Sequence, residues 1–100
     1  MRQFTVTWAP QASLDVLSAR AGLGPVRAAD LDDELERIRE RLALLPEMGA
    51  PVKTRKEWSH TLRRVILGLS PYHLYYRVNV EAERVVVVAL RHERRRPARL

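Results

Sequence analysis

The sequence has 100 residues, no cysteine and a formal net charge of +6 at pH 7, and 46% of its residues are hydrophobic. This length predicts one small domain, the apolar fraction excludes a disordered chain, and the lack of cysteine excludes disulfides and thiolate zinc sites. A basic chain favours an anionic partner such as nucleic acid, the ribosome, an acidic protein or a membrane surface, although charge can also serve solubility alone.

The sequence carries no signal for secretion or for membrane insertion. The N-terminal residues lack the apolar core of a secretory signal. The longest apolar run, Val85–Leu90, is too short to cross a bilayer. We therefore expect a soluble, cytoplasmic protein with no membrane partner, and no motif in it implies a cofactor or a metal.

The chain begins with a predicted strand followed by a short helix. Phe4, Val6 and Trp8 alternate with two threonines, and this period of two predicts a strand over about 3–8. Pro10 suits the first turn of a helix, where its missing N–H has no cost. The helix should end at Gly22 and carry a short apolar stripe, which consists of Ala12, Leu14, Leu17 and Ala21.

A longer helix is predicted over about 25–45. Its apolar residues recur at spacings of three and four, namely Leu31, Leu35, Ile38, Leu42 and Leu45. We expect Leu35 and Ile38 in the core. Acidic residues lie toward the N-terminal half and arginines toward the C-terminal half, an order that suits the helix dipole. The two helices are joined by a glycine-containing corner and should form a helical hairpin.

Residues 46–60 are predicted to form a loop, and three strands follow over about 61–68, 72–79 and 84–91. Their connections are short, so they should form an antiparallel meander. The last strand contains the unbroken apolar run VVVVAL, so it should be central, with the first strand of the chain beside it. The predicted fold is therefore α+β with two layers: a helical hairpin packed on one face of a four-stranded, mostly antiparallel sheet.

The strand at 72–79 separates two sets of side chains by alternation. Tyr72, Leu74, Tyr76 and Val78 should face the helices. The opposite set is His73, Tyr75, Arg77 and Asn79. The face without helices should then carry Arg77 with either Arg63 or Arg64, and should end near Arg91 and His92. Such a face is either bare or covered by a partner.

Four stretches along the chain carry a resemblance to a known family. They are WAPQASLDVL, LALLPEMG, YHLYYRV and VVVVALRHERRRP. In this layout the chain resembles the RelE/ParE superfamily, the toxin components of bacterial type II toxin–antitoxin modules. The resemblance implies one toxin domain over 1–100 with a basic tail at 93–100. It also implies a cognate antitoxin whose disordered, often acidic segment wraps the toxin.

The resemblance implies one of two activities. RelE-like members are ribosome-dependent endoribonucleases that cleave mRNA, whereas ParE-like members act on DNA gyrase and block replication. Many nuclease members place a tyrosine in the tail, but the tail HERRRPARL has no aromatic residue, and the ending RHxxRxP is more similar to the ParE branch. We expect a toxin that inhibits gyrase by binding. The alternatives are a ribosome-dependent nuclease, or a member that binds its antitoxin but is no longer toxic.

A nuclease would need a proton-transfer group and several cations around one phosphate. The candidates for catalysis are His92, Arg63, Arg64 and Arg77, with Lys53, Lys56 and Arg91 as further cations. His92 is attractive because imidazole, as a chemical group, titrates near neutrality. The structural alternative for His92 is a residue at a strand end that is hydrogen-bonded to the tail.

A partner-binding surface is predicted from cationic and aromatic residues, some of which are also candidates for catalysis. Its members are Trp58, Tyr75, Arg77, Arg91, Arg94, Arg95 and Arg96. Arginine binds carboxylates and phosphates equally well, so the charge does not separate an antitoxin from RNA. The structural alternatives are a solvated tail for the arginine run, a surface salt bridge for Arg77 and a plug at the sheet edge for Trp58.

Overall fold

The computed structural model describes residues 3–52 and 62–94. Within these ranges lie two helices and five strands. They are β1 (Thr5–Trp8), α1 (Pro10–Ala21), α2 (Pro25–Leu44), β2 (Ala50–Val52), β3 (Leu62–Ile66), β4 (Tyr72–Asn79) and β5 (Arg84–His92). The predicted α+β class is confirmed. In the described part of the chain, neither helix combines the length and the hydrophobicity that a membrane span requires.

The five strands form one mixed sheet in the order β1-β5-β4-β3-β2. β1 pairs with β5 in parallel, and the other three pairings are antiparallel. The predicted placement of the first strand beside the last is confirmed, but the predicted count of four strands is wrong. The additional strand, β2, lies in the segment predicted as a loop. Its three residues include Pro51, which leaves too short a run for any periodicity to show.

The main core lies between the helices and the sheet face that we call the inner face. The side chains of β4 and β5 on this face that are fully buried are Leu74, Tyr76, Val85, Val87 and Leu90. The stripe of α2 packs against them, with Leu31, Leu35, Ile38 and Leu42 all buried. The predicted core placement of Leu35 and Ile38 is therefore confirmed.

Helix α1 packs closely on the sheet through small side chains. Ala12 and Ala19 are its buried residues. The Asp15 carboxylate accepts the backbone N–H of Leu90 at 3.0 Å. β1 ends opposite Val87, so α1 supplies the acceptor that a neighbouring strand would otherwise give to β5.

Two hydrogen-bonded contacts hold connecting segments against this core. The buried side chain of Glu34 in α2 accepts the backbone N–H groups of Gly68 and Leu69 at 2.8 and 3.1 Å, within the β3–β4 connection. The Tyr76 hydroxyl accepts the N–H of Gly49 at 2.8 Å, just before β2. A Cβ at Gly49 would lie 2.8 Å from that hydroxyl oxygen, so this close approach requires glycine.

Candidate anion-binding site on the outer sheet face

The outer face of the sheet is the face away from the helices, and it contains a second, smaller apolar cluster. Leu62, Tyr75 and Ala89 form this cluster, with Val52 and Val88 packed against it. Tyr75 is only 2% exposed. The predicted position of Tyr75 on the face of Arg77 is confirmed by the pairing register, but so little of its ring is exposed that few contacts to a partner are available.

A β-bulge decides which residues at the end of β5 reach the outer face. Tyr75 pairs with Ala89, whereas the next residue of β4 pairs with Val87, so Val88 is the additional residue of β5. A bulge of one residue reverses the alternation beyond it. Arg91 therefore lies on the outer face, and His92 lies on the inner face.

The outer face carries one histidine and three half-buried arginines. We call Arg64, His73, Arg77 and Arg91 the outer basic patch. His73 pairs directly with Arg91 of β5, and Arg64 of β3 is its diagonal neighbour because it pairs with Tyr75. Direct neighbours of this kind have Cβ atoms about 5 Å apart and diagonal neighbours about 7–8 Å, so long side chains from all three strands can meet.

The electrostatics of the patch disfavour a charged imidazole. The pKa of His73 is lowered, first because the ring is partly removed from water and second because the Arg64 guanidinium is close by. The Glu93 carboxylate acts in the opposite direction with a smaller effect. At neutral pH the site is therefore a neutral imidazole with the Arg64 cation close by.

Two arginines of the patch each retain an unsatisfied donor. The Nε atoms of Arg64 and Arg91 are buried and have no hydrogen-bond partner. One terminal nitrogen of Arg91 lies 3.8 Å from the Asp15 carboxylate, which partly balances its charge. Nearly all buried polar groups in proteins are hydrogen-bonded, so two unpaired donors on one sheet face need an explanation.

The predicted nuclease set is divided between the two faces. Arg64 and Arg77 lie on the outer face. Arg63 lies on the inner face and donates from Nη1 to the carbonyl oxygens of Gly49 at 2.6 Å and Glu47 at 3.1 Å. These two bonds hold the segment that leads into β2.

His92 belongs to the end of the inner face. Its ring meets Tyr72 edge-on, with 5.4 Å between ring centroids and an interplanar angle of 81°. Its Nδ1 accepts the backbone N–H of Arg94 at 3.2 Å. These contacts match the structural alternative considered for His92, since the residue hydrogen-bonds to the start of the basic tail.

Several predicted residues lie outside the described ranges. They are Trp58, Arg95 and Arg96 of the partner set, and Lys53 and Lys56 of the cation set. Arg94 is described and is exposed. His73 is the member of the outer basic patch to which the sequence analysis assigned no function. Alternation placed it on the face of Arg77, but an isolated histidine in a strand gave no further signal.

A second surface of interest is an apolar groove beside α1. It has a volume of about 340 Å³ and is lined by Trp8, Ser13, Val16, Leu17 and Leu35. The predicted stripe of α1 is wrong for three of its four members, because Leu14 and Leu17 are 59% and 62% exposed and Ala21 is also exposed. Ala12 and Ala19 occupy the contact with the sheet instead, and Leu17 lines the groove.

Within residues 3–52 and 62–94, no group of three or more histidine or acidic residues could hold a metal ion. The outer basic patch instead offers donors and positive charge, which suit an oxyanion. The outer basic patch is therefore a candidate site for an anion.

Comparisons with known proteins agree with this fold. The family described as the ParE toxin of type II toxin–antitoxin systems, parDE, matches residues 6–97. No protein with curated function matches the sequence significantly.

Three similar solved structures are toxins or toxin–antitoxin assemblies. The chromosomal ParDE system from P. aeruginosa gives a TM-score of 0.68 at 16% identity, covering 90% of this chain and 96% of that chain. The RelBE2 complex from Mycobacterium tuberculosis gives 0.61 at 25% identity, covering 92% and 93%. The isolated E. coli RelE toxin gives 0.56 at 22% identity, covering 93% and 87%.

Proposed function

This chain belongs to the ParE toxin family of type II toxin–antitoxin systems, and from that premise we propose that it arrests growth by binding DNA gyrase. In the resting state a cognate antitoxin holds it inactive. Its action is in the cytoplasm and requires neither a cofactor nor a metal.

The antitoxin would use two surfaces of different chemistry. The outer basic patch suits acidic side chains, and the formal net charge of +6 favours an acidic partner. The groove beside α1 suits an apolar anchor, because Leu17 and Leu35 line it. A disordered segment that folds on binding loses conformational entropy, so it needs a contact area that extends over both surfaces.

The position of His92 is the observation that supports inhibition by binding over RNA cleavage. A proton-transfer group must lie within hydrogen-bond distance of the reacting atoms, together with the cations that stabilise the phosphate. His92 contacts Tyr72 at the inner face, whereas Arg64 and Arg77 lie across the sheet from it. One phosphate therefore does not meet this imidazole and both arginines.

The second candidate function is ribosome-dependent mRNA cleavage, and His73 is the observation in its favour. This imidazole is placed among arginines on the face where a phosphate could bind. Its lowered pKa leaves it neutral near pH 7, which is the form that accepts a proton. A nuclease of this chain would therefore use His73 in preference to His92.

The test is to express the chain without its antitoxin in a bacterial host, then map RNA ends within minutes and assay supercoiling by purified gyrase. We expect intact messages and inhibited supercoiling. His92→Gln and His73→Gln are matched variants, and both should leave messages intact. RNA breaks at ribosomes that disappear only in His73→Gln would establish the nuclease instead. Normal growth with intact RNA and active gyrase would identify a chain that has lost its toxicity.

A further inference from the structure

The outer basic patch contains a smaller site centred on one side chain. We propose that Arg64, His73 and Arg91 together bind one carboxylate of an acidic peptide segment, and that His73 takes up a proton from solvent as the carboxylate binds. This proposal rests on the proposed function, because it names the contact that an antitoxin makes on this face.

The geometry brings the three side chains together from three strands. β4 lies between β3 and β5, so His73 has Arg91 directly beside it and Arg64 diagonally on the other side. The bulge at Val88 is needed for this arrangement, because uninterrupted alternation would place Arg91 on the inner face. The Arg64 guanidinium is close to His73 already, whereas the Arg91 guanidinium is turned toward Asp15 and would have to turn back over the outer face to meet the same anionic group.

The two unpaired donors indicate that the site has capacity for an acceptor. Nε of Arg64 and Nε of Arg91 are buried without a hydrogen-bond partner. Side-on binding of a carboxylate to a guanidinium uses Nε together with a terminal nitrogen, and it gives two parallel charge-assisted hydrogen bonds. Both Nε atoms are covered in the free protein, so a carboxylate would reach them once the two arginine side chains turn outward, and it would then satisfy donors that the fold leaves unpaired.

His73 would respond to such a ligand through its charge. In the free protein Arg64 disfavours protonation of His73 and Glu93 favours it. Arg91 is the residue of β5 that pairs with His73, and its guanidinium lies near Asp15. A bound carboxylate adds a negative charge and accepts a hydrogen bond from the imidazolium. Protonation and binding must then favour each other, so the affinity should rise as the pH falls through the range where His73 titrates.

The surroundings favour a peptide carboxylate over the phosphate of a nucleic acid. Single-stranded nucleic acid is bound by aromatic rings on which bases stack, and Tyr75 on this face is 2% exposed. The neighbouring exposed surface is aliphatic: Ile66 is 61% exposed, and Val86 and Val88 are half-buried. A segment that combines acidic and aliphatic side chains matches this surface.

The experiment uses the full chain and a synthetic probe, the capped decapeptide of alternating glutamate and leucine. The pKa of His73 is measured by NMR from its ring C–H signal, with and without saturating peptide. We expect the peptide to raise this pKa. A decanucleotide of uridine is the second probe, and it should raise the pKa of His73 less than the peptide does.

Calorimetry at pH 5.5 and pH 7.5 measures directly how strongly peptide binding is coupled to protonation of His73. We expect the wild-type chain to bind the peptide roughly two- to fivefold more tightly at pH 5.5, the effect of about one partly exposed charge-assisted contact. His73→Gln should lose this ratio, whereas the control His92→Gln should keep it. Arg64→Gln and Arg91→Gln should weaken binding at both pH values.

Three outcomes would overturn the proposal. They are a His73 pKa that saturating peptide does not raise, an unchanged pH ratio in His73→Gln, and a larger effect of the uridine decanucleotide than of the peptide. The NMR arm needs no substitution at the site, so it decides the matter even where a variant fails to fold. These results are independent of growth arrest and gyrase inhibition, which test the proposed function separately.

Discussion

Replacing Glu34 by alanine tests whether the contact between α2 and the β3–β4 connection stabilises the fold. The carboxylate accepts the N–H groups of Gly68 and Leu69 and the hydroxyl of Ser70, the last at 3.3 Å. Hydrogen bonds to charged groups contribute about 1.5–3 kcal/mol each, and water can reach part of this connection in the variant. We therefore expect a loss of about 2–4 kcal/mol, measured by urea unfolding.

The matched control is Glu36→Ala, two residues further along the same helix. Glu36 is exposed and pairs only with Arg39 of its own helix among the described contacts, so its removal should leave the urea midpoint nearly unchanged. Amide hydrogen exchange gives a local readout, because the Gly68 and Leu69 amides should exchange faster in Glu34→Ala alone. Equal stability of the two variants, or unchanged exchange at both amides, would refute the reasoning.

Four further predictions concern stability. Tyr76→Phe removes the acceptor of the buried Gly49 N–H and should lower the free energy of unfolding by about 1–3 kcal/mol in urea titrations. Gly49→Ala should lower it by a similar amount, because the added Cβ would overpack the contact with Tyr76. Leu35→Ala should cost about 2–5 kcal/mol, because the side chain is buried beneath α2; an unchanged melting curve would contradict this. His73 has a lowered pKa in the folded state, so the unfolded chain takes up its proton first and stability is lost as pH falls below about 6.5. His73→Gln should lose less stability than the wild type between pH 7.5 and 5.5, compared by urea midpoints.

The inner face could be predicted from the sequence because its signals are periodic and local. The predicted stripe repeats at helical spacing, and its members from Leu31 to Leu42 are buried, whereas the last member, Leu45, lies beyond the end of α2 and is 63% exposed. The apolar run of β5 indicated a central strand, and its place between β1 and β4 follows from burial on both faces. In both cases the local pattern and the tertiary packing favour the same structure.

The parts that could not be predicted depend on contacts between distant residues. β2 contains three residues, and its position is held by Tyr76 and Arg63 through Gly49, which no local pattern reveals. Glu34 belongs to an acidic run that suited the helix dipole, yet its side chain binds a connection 34 residues away. A contact of this kind has no periodic signature in the sequence.

The candidate site shows how one residue can change a functional interpretation. Regular alternation along β5 from Val85 would place His92 on the outer face and Arg91 on the inner face. The bulge at Val88 exchanges them, so that Arg91 joins His73 and His92 contacts Tyr72. A run of four valines contains no turn residue that marks where a bulge occurs, so the exchange could not be predicted from the sequence.

Stability and binding are coupled on the outer face. Each buried, unpaired donor costs about 1–3 kcal/mol, and the Nε atoms of Arg64 and Arg91 are two such donors in a domain whose total stability is expected to be about 5–15 kcal/mol. A partner carboxylate that accepts hydrogen bonds from these two atoms would remove this cost. Binding would also stabilise the fold in the way that any ligand does when it binds only the folded state. The donors that would hold the partner therefore also leave the free toxin less stable, so the toxin should melt at a lower temperature alone than in the complex.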